Sequence, residues 1–444
     1  MASPIDLTPR YDQFAVYLPA LQTQFARAVG KRGEKDRQMP TGISMRDLDF
    51  LNPNSKLWHY AYSLYSVGQF GVGEHKGDAV INRDKAKTLV LGDSGGYQIG
   101  KGTLKGFKAL KKLKKADDAC KAWREAHEVR EWIVTWLELH CDYAMTIDMP
   151  LWAKDEANKK TPFHNCSVEQ LTQLTVENLE FINQNRRGRT KWLNVVQGAT
   201  EQDTENWWNA VKRYKFGGWA LAGKTGWRGG SARVIKQVLL MRDEGAFEKG
   251  LDWLHVLGVS QTTWAVLLSA VQRGIRANGN ENFRVSCDSA SSNILGGKFQ
   301  QVVLTPDFTS DPSSWSIRAE TVPQSCADVK KKHKPFPYSS PLGDVMTLGD
   351  VVLSYDEFKG AELDAVSFHM LTNHNMWIYL SAMLKANELA AQPRSLAEPF
   401  VPQALLDVKE VYEDLLASSS GKWFSKWKKA QPYFEALDGI KVEA

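Results

Sequence analysis

Between about residues 85 and 305, short apolar runs alternate with longer segments of helical pattern. The runs cover 88–91, 143–147, 192–196, 219–222, 253–257, 283–286 and 301–304, and helix-like stretches cover 167–183, 201–214, 231–245 and 261–274. A continuous apolar run of this length, bounded by turn residues, predicts a strand buried on both faces. Strands alternating with helices predict βα units and a parallel sheet. Seven such strands, with an eighth at 14–18, fit an α/β fold of the (β/α)8 TIM barrel class. A doubly wound open sheet is the alternative, because strand order is not written in one sequence.

The residue that follows each run strengthens the barrel. Asp93 follows the first, Asp148 the second, Gln197 the third, Gly223 and Lys224 the fourth, Gly258 the fifth and Asp288 the sixth. In a (β/α)8 barrel the C-terminal strand ends and their loops build the active site. Each apolar run therefore delivers a polar group or a glycine turn to one rim.

Asp93 lies in Gly92-Asp93-Ser94-Gly95-Gly96-Tyr97-Gln98, where the glycines permit a tight turn and close backbone approach. Asp288 lies in Cys287-Asp288-Ser289-Ala290-Ser291-Ser292-Asn293. Two carboxylates on one rim can divide labour at an anomeric carbon, one attacking and one moving the proton. The plainer alternative for each is a helix cap after a turn, which also applies to Asp148, with a turn amide for Gln197.

Length and composition set the scale. The 444 residues, 43% of them hydrophobic and 16 of them Trp, suffice for a large barrel with an appended region. The longest apolar run, 264–271, is too short to cross a bilayer, and the opening MASPIDLTPRYDQ lacks the apolar stretch of a secretory signal. A cytoplasmic protein with no membrane partner is expected. Cys120, Cys141, Cys166, Cys287 and Cys326 show no paired spacing, which suits a reducing compartment.

The net charge is only +5, but the positive charge is clustered. Lys101, Lys105, Lys108, Lys111, Lys112, Lys114 and Lys115 share a stretch of helical spacing. Further clusters are Arg186, Arg187, Arg189 and Lys191, the run 330–334 around His333, and Lys422, Lys426, Lys428 and Lys429 among Trp423, Phe424 and Trp427. Any one of these reads equally as a solvated face. Four together point to a polyanionic partner, with Lys108, Lys111, Lys112, Lys115, Arg186, Arg187 and Arg189 as candidate nucleic-acid contacts.

Residues 218–225, GWALAGKT, match the phosphate-loop pattern GxxxxGK[ST] letter for letter. A phosphate loop needs a strand before its first glycine and a flexible loop after it. Here the apolar run lies inside the motif, so nucleotide hydrolysis is not expected.

With these residues in view, the chain resembles the queuine and archaeosine tRNA-guanine transglycosylases and their relatives that put 7-deazaguanine bases into DNA. The matching segments are LGDSGGYQ at 91–98, DYAMTIDMP at 142–150, NVVQG at 194–198, GGWALAGKTG at 217–226, HVLGVS at 255–260, SCDSASSN at 286–293 and NHNMWIYL at 373–380. The resemblance implies a barrel over 1–310, with an N-terminal extension, and a divergent zinc-subdomain-like, basic and helical region over 311–444. It implies that Asp288 is the nucleophile at C1′ of the target nucleoside and that Asp93 handles protons during base exchange. It also implies that Asp148, kept ionised, and Gln197 hydrogen-bond the edge of the base, and that Gly223 and Leu257 form floor and wall of its pocket. No cofactor is required for such chemistry.

Three departures from the family pattern bear on the substrate. The transfer-RNA enzymes carry three clustered cysteines and a histidine on a structural zinc; here His374 matches the histidine, and Cys326 alone occupies the preceding region. A zinc site rebuilt from Cys326, His333, His369 and His374 is the metal-binding possibility. Ser-Ala-Ser-Ser-Asn follows Asp288 in place of Pro-Thr-Arg, and Met149-Pro150 follows Asp148 in place of Glu-Cys. These changes favour DNA as the polymer and a free 7-deazaguanine base, such as 7-cyano-7-deazaguanine, as the second substrate, with transfer RNA as the alternative polymer. A retaining glycoside hydrolase and a non-catalytic nucleic-acid binder are the other classes that fit the residues.

Overall fold

The computed structural model describes residues 5–30, 39–322, 333–356 and 360–440. Eight parallel strands close into a barrel: β1 (Val16–Leu21), β2 (Tyr62–Ser66), β3 (Leu89–Asp93), β4 (Tyr143–Met145), β5 (Lys191–Val196), β6 (Gly218–Leu221), β7 (Trp253–Val256) and β8 (Arg284–Ser289). Each pairs with the next, and β8 returns to β1 with Asp288 opposite Leu18. This is a (β/α)8 barrel with insertions.

Two strands differ from the sequence expectation. The run at 301–304 is no barrel strand; β9 (Gln301–Val303) pairs antiparallel with β10 (Ala319–Thr321), because β1 already closes the barrel against β8. The missing barrel strand is β2, whose Tyr-Ser-Leu-Tyr-Ser is buried at every position. Its serines interrupt the apolar run that would have marked it. Short hydroxyls are accommodated inside a strand, and the Ser66 hydroxyl accepts the Gly68 N–H at 3.2 Å.

The N-terminal end of the barrel is closed by large side chains. The Tyr143 and Trp253 rings lie 4.5 Å apart, Lys191 Nζ lies 5.7 Å from the Tyr143 ring, and Arg284 donates to the Tyr62 hydroxyl at 2.9 Å. A Cβ on Gly218 would come within 2.1 Å of the Trp253 carbonyl, so β6 meets β7 only with glycine there. Strand β6 thus runs through the phosphate-loop look-alike, leaving it no loop after its first glycine.

Two of the helices between strands are capped as their sequences dictate. In α2 (Val168–Asn185) Ser167 and Gln170 form a reciprocal capping box, and in α3 (Glu201–Val211) Thr200 and Asp203 do the same. They are followed by α4 (Ser231–Asp243), α5 (Thr262–Ala277) and α6 (Ser291–Gly297). The short α1 (Gly96–Lys101) follows β3 directly. It ends at Gly102, with φ 65°, so the lysine stretch is not one helix but a helix end, turns and a 3-10 helix at Lys108–Lys112. Cys120 and Cys166, distant in sequence, face each other as buried thiols 3.7 Å apart.

The long α7 (Ala365–Ala390) is buried around its circumference, against α5, α6, β1 and β9. Its Asn373 accepts the Trp58 indole N–H and donates to the Leu48 carbonyl, while Asn375 holds Val303 N–H and the Gln301 carbonyl. Two further helices, α8 (Gln403–Ala417) and α9 (Phe424–Asp438), pack together, with α8 also on α5. Among the described residues no helix is long and apolar enough to cross a membrane.

Candidate active site

Asp93 is the last residue of β3, and the chain turns sharply behind it. Gly95 has φ 84°, and a Cβ there would lie 2.9 Å from the Gly68 Cα, so two backbones touch where α1 begins. The Gly95 N–H donates to Asp93 Oδ1 at 3.3 Å. Burial pushes the Asp93 carboxyl above its usual range; hydrogen bonds from Ser66 and Gly95 oppose this, the Asp288 charge adds to it and His255 offsets part.

Asp148 follows β4. Burial first, and then the neighbouring charge of Asp93, push its carboxyl up to about 7. At neutral pH both its protonation states are populated, rather than the ionised form alone. Gln197, just past β5, is committed to holding this group. Its Nε2 donates to Asp148 Oδ2 and approaches the Met149 carbonyl, and its Oε1 accepts the Leu151 N–H at 3.0 Å. The amide therefore braces Asp148 from behind instead of standing free for a ligand. The titrations of Asp148 and Asp93 are interdependent, since the charge on Asp93 raises the Asp148 carboxyl.

Asp288 sits on the last turn of β8, with 14% of its side chain exposed. Oδ1 accepts the N–H of Gly258, whose φ of 76° aims it there, at 2.8 Å. The same oxygen lies 3.2 Å from Nε2 of the fully buried His255, an electrostatic contact outside hydrogen-bonding alignment. Beneath it, Ser286 Oγ accepts the Trp253 indole N–H at 2.7 Å and shares a hydrogen bond with His255 Nδ1 at 2.8 Å. When the Ser286 hydroxyl donates to Nδ1, a neutral ring carries its proton on Nε2, facing the carboxylate. Oδ1 is thus pinned, and Oδ2 has no partner among the described residues.

Around this floor the rim is partly aromatic. Tyr97, on α1, is 61% exposed and lies 5.5 Å from the Trp152 ring. Gly223, with φ 62°, and Lys224 are exposed after β6, and Leu257 is half-buried after β7. Sequence reasoning passed over Tyr97, Trp152, Ser66 and His255. Tyr97 stands beside the DSGG segment, but its exposure is a tertiary fact, and His255 in a strand reads as an ordinary core histidine.

The basic clusters part company. Lys111, Lys112 and Lys115 are exposed in the insertion after β3, on the carboxylate side; the side chain of Lys108 lies outside the described residues. Arg186, Arg187 and Arg189 precede β5 and so lie at the opposite end of the barrel, where the Arg187 and Arg189 N–H groups donate to Glu138 Oε2 and Arg186 stacks on Phe216. They do not share a face with the carboxylates.

The expected zinc ligands do not gather. His374 is committed at both ring nitrogens, Nδ1 with Ser340 Oγ at 2.9 Å and Nε2 with the Val303 carbonyl at 3.2 Å. His369 packs edge-on against Phe25, His333 is exposed, and Cys326 lies outside the described residues. Burial pushes both His369 and His374 down to about 4. Among the described residues no group of three His, Cys, Asp or Glu could hold a metal ion, and the described histidines do not fit a zinc site. No protein-family model matches the chain, and no curated protein matches it to a significant degree.

Proposed function

We propose that this chain exchanges guanine in DNA for a free 7-deazaguanine base, such as 7-cyano-7-deazaguanine, through a covalent aspartyl-sugar intermediate. The observation that carries the proposal is the gathering of Asp93, Asp148 and Asp288 at one mouth of a closed barrel, with Asp288 held by one oxygen and the other two pushed toward their protonated forms. Carboxyls whose environments differ in this way divide nucleophilic and acid-base work.

In the first displacement Asp288 Oδ2 attacks C1′, the bond from C1′ to the guanine nitrogen breaks with its electron pair on the base, and Asp93 supplies the proton that neutralises it. In the second, the incoming base gives a proton back to Asp93, its nitrogen attacks C1′, and the Asp288 ester is released. Two inversions restore the β configuration, and one glycosidic bond replaces another, so no nucleoside triphosphate is consumed. Asp148, braced by Gln197, is suited to accept N–H groups of an aminopyrimidine edge, and the exposed Tyr97 face to stack on the ring.

The choice of DNA rests on the altered residues after Asp288 and on the missing cysteine cluster. Purified protein and labelled deazapurine, without ATP, are incubated with single- and double-stranded DNA and with unmodified transfer RNA, then digested for nucleoside mass spectrometry. A labelled deoxynucleoside, abolished by Asp288→Asn, is the expected result. Label only in transfer RNA overturns the polymer; free sugar or abasic sites without base incorporation overturn the transglycosylase.

A further inference from the structure

We infer that a lysine-lined trough beside the mouth is the track for the phosphodiester backbone of the strand that carries the exchanged nucleotide; this rests on the transglycosylase proposal only for the identity of that nucleotide. Two insertions on the carboxylate side, one after β3 and one after β4, enclose a concavity of about 700 Å³. Five lysines line it, Lys101, Lys111, Lys114, Lys159 and Lys160, with Glu156 as the lone carboxylate. The sequence cluster at 101–115 is thus half of a basic surface whose other half arrives from beyond β4.

Among the described residues, most of the trough lysines have no carboxylate partner. Several surface bases elsewhere do meet carboxylates: Arg10 with Glu388, Arg124 with Glu177, Lys212 with Glu244, Lys236 with Glu201 and Arg394 with three acids. In the trough only Lys159 has one, Glu156 at 3.3 Å. Lys101 donates to the Asn158 amide and Lys114 to the Lys160 carbonyl, which orients their ammonium groups without neutralising them. Like charges gathered round a concavity focus a positive field and favour a polyanion over water.

Continuity with the mouth selects a nucleic acid over other polyanions. Lys101 closes α1, the helix that starts at the Asp93 turn, and its Nζ lies 5.3 Å from the Trp152 ring and 5.9 Å from Tyr97. A strand on the trough therefore passes bases to an aromatic pair and then to the carboxylates, a succession of phosphate contacts and stacking faces that fits single-stranded nucleic acid.

The test reads binding apart from chemistry. Fluorescent single-stranded DNA and RNA of equal length, and heparin as an unrelated polyanion, are titrated over a range of salt into full-length wild type, Lys159→Glu/Lys160→Glu, Lys111→Gln/Lys160→Gln and, on the opposite face, Arg186→Glu/Arg187→Glu. Both trough variants are expected to lose about tenfold or more in affinity for the oligonucleotides and to flatten the salt dependence by roughly 0.7 for each phosphate that the protein no longer neutralises. The opposite-face variant should match wild type. Unchanged affinity and slope in both trough variants, equal loss in the opposite-face variant, no oligonucleotide binding by wild type, or heparin bound as tightly through the same lysines would overturn the trough as a nucleic-acid track. Lysine-dependent binding with no base exchange would instead overturn the transglycosylase and leave the trough standing.

Discussion

At the scale of single residues, the environment of each carboxyl decides what it can do. Asp288→Asn keeps the shape of the side chain but removes the oxyanion proposed to attack, so exchange should fall below detection while the protein stays folded. Mass spectrometry of a trapped adduct should map the sugar to Asp288; an adduct on Asp93 would reverse the two roles. In the proposed reaction His255 is a positioning residue, since it faces Oδ1 rather than Oδ2, the oxygen proposed to attack. His255→Phe should lower kcat about 10²-fold, the scale expected when a reacting group is misplaced, with little change in KM for the base. His255→Gln, which keeps a polar N–H group facing the carboxylate, should recover part of it, a rescue that a purely space-filling role does not predict. For Asp148, the folded protein holds the proton more tightly than the unfolded chain does. The associated stability is complete below the ordinary value of 3.8 and is lost as pH rises through about 7. Asp148→Asn should therefore raise the melting temperature more at pH 8 than at pH 5, while impairing use of the base; equal shifts at the two pH values would contradict the assignment.

At the scale of elements, strand ends and the turns behind them do the positioning. The turn between β3 and α1 needs Gly95 twice over, for its φ of 84° and for the 2.9 Å approach to Gly68. Gly95→Ala should cost about 1–2 kcal/mol in denaturant unfolding and disturb Asp93 directly, so activity should drop further than stability does. Much at this scale is legible in sequence, because strands buried on both faces write themselves as apolar runs. Strand β2 is not, since Ser63 and Ser66 break its run, and β9 lies outside the barrel because an apolar triplet does not say which sheet it joins. The carboxylates at 93, 148 and 288 stand out as strand-end residues, whereas the bracing of Asp148 by Gln197 depends on a contact across two loops.

At the scale of the whole molecule, the region after β8 is bound into the barrel. Helix α7 fills the space against α5, α6 and β1, and its Asn373 and Asn375 satisfy backbone groups at Leu48, Gln301 and Val303. A chain ending at residue 310 would expose that apolar face and leave those groups unpaired, so it should be insoluble or lack a cooperative thermal transition by circular dichroism. A soluble, cooperatively folding fragment would show that the barrel stands without these helices. The same scale separates the basic clusters, since a βα insertion and an αβ turn emerge at opposite ends of a parallel barrel.

The sequence by itself determined an α/β fold of alternating strands and helices, the carboxylates at the strand ends and the misfit of the phosphate-loop motif, because these follow from local patterns: apolar runs, the residues that end them, and glycines at turns. Only the tertiary structure decided that the sheet closes into a barrel and which run closes it, that Gln197 serves Asp148, that His255 stands beneath Asp288, that His374 is committed to Ser340 and Val303, and which lysines share a trough. Those outcomes depend on distances between residues far apart in the chain and on how deeply each is buried, and neither quantity is carried by residue order until the strands are paired.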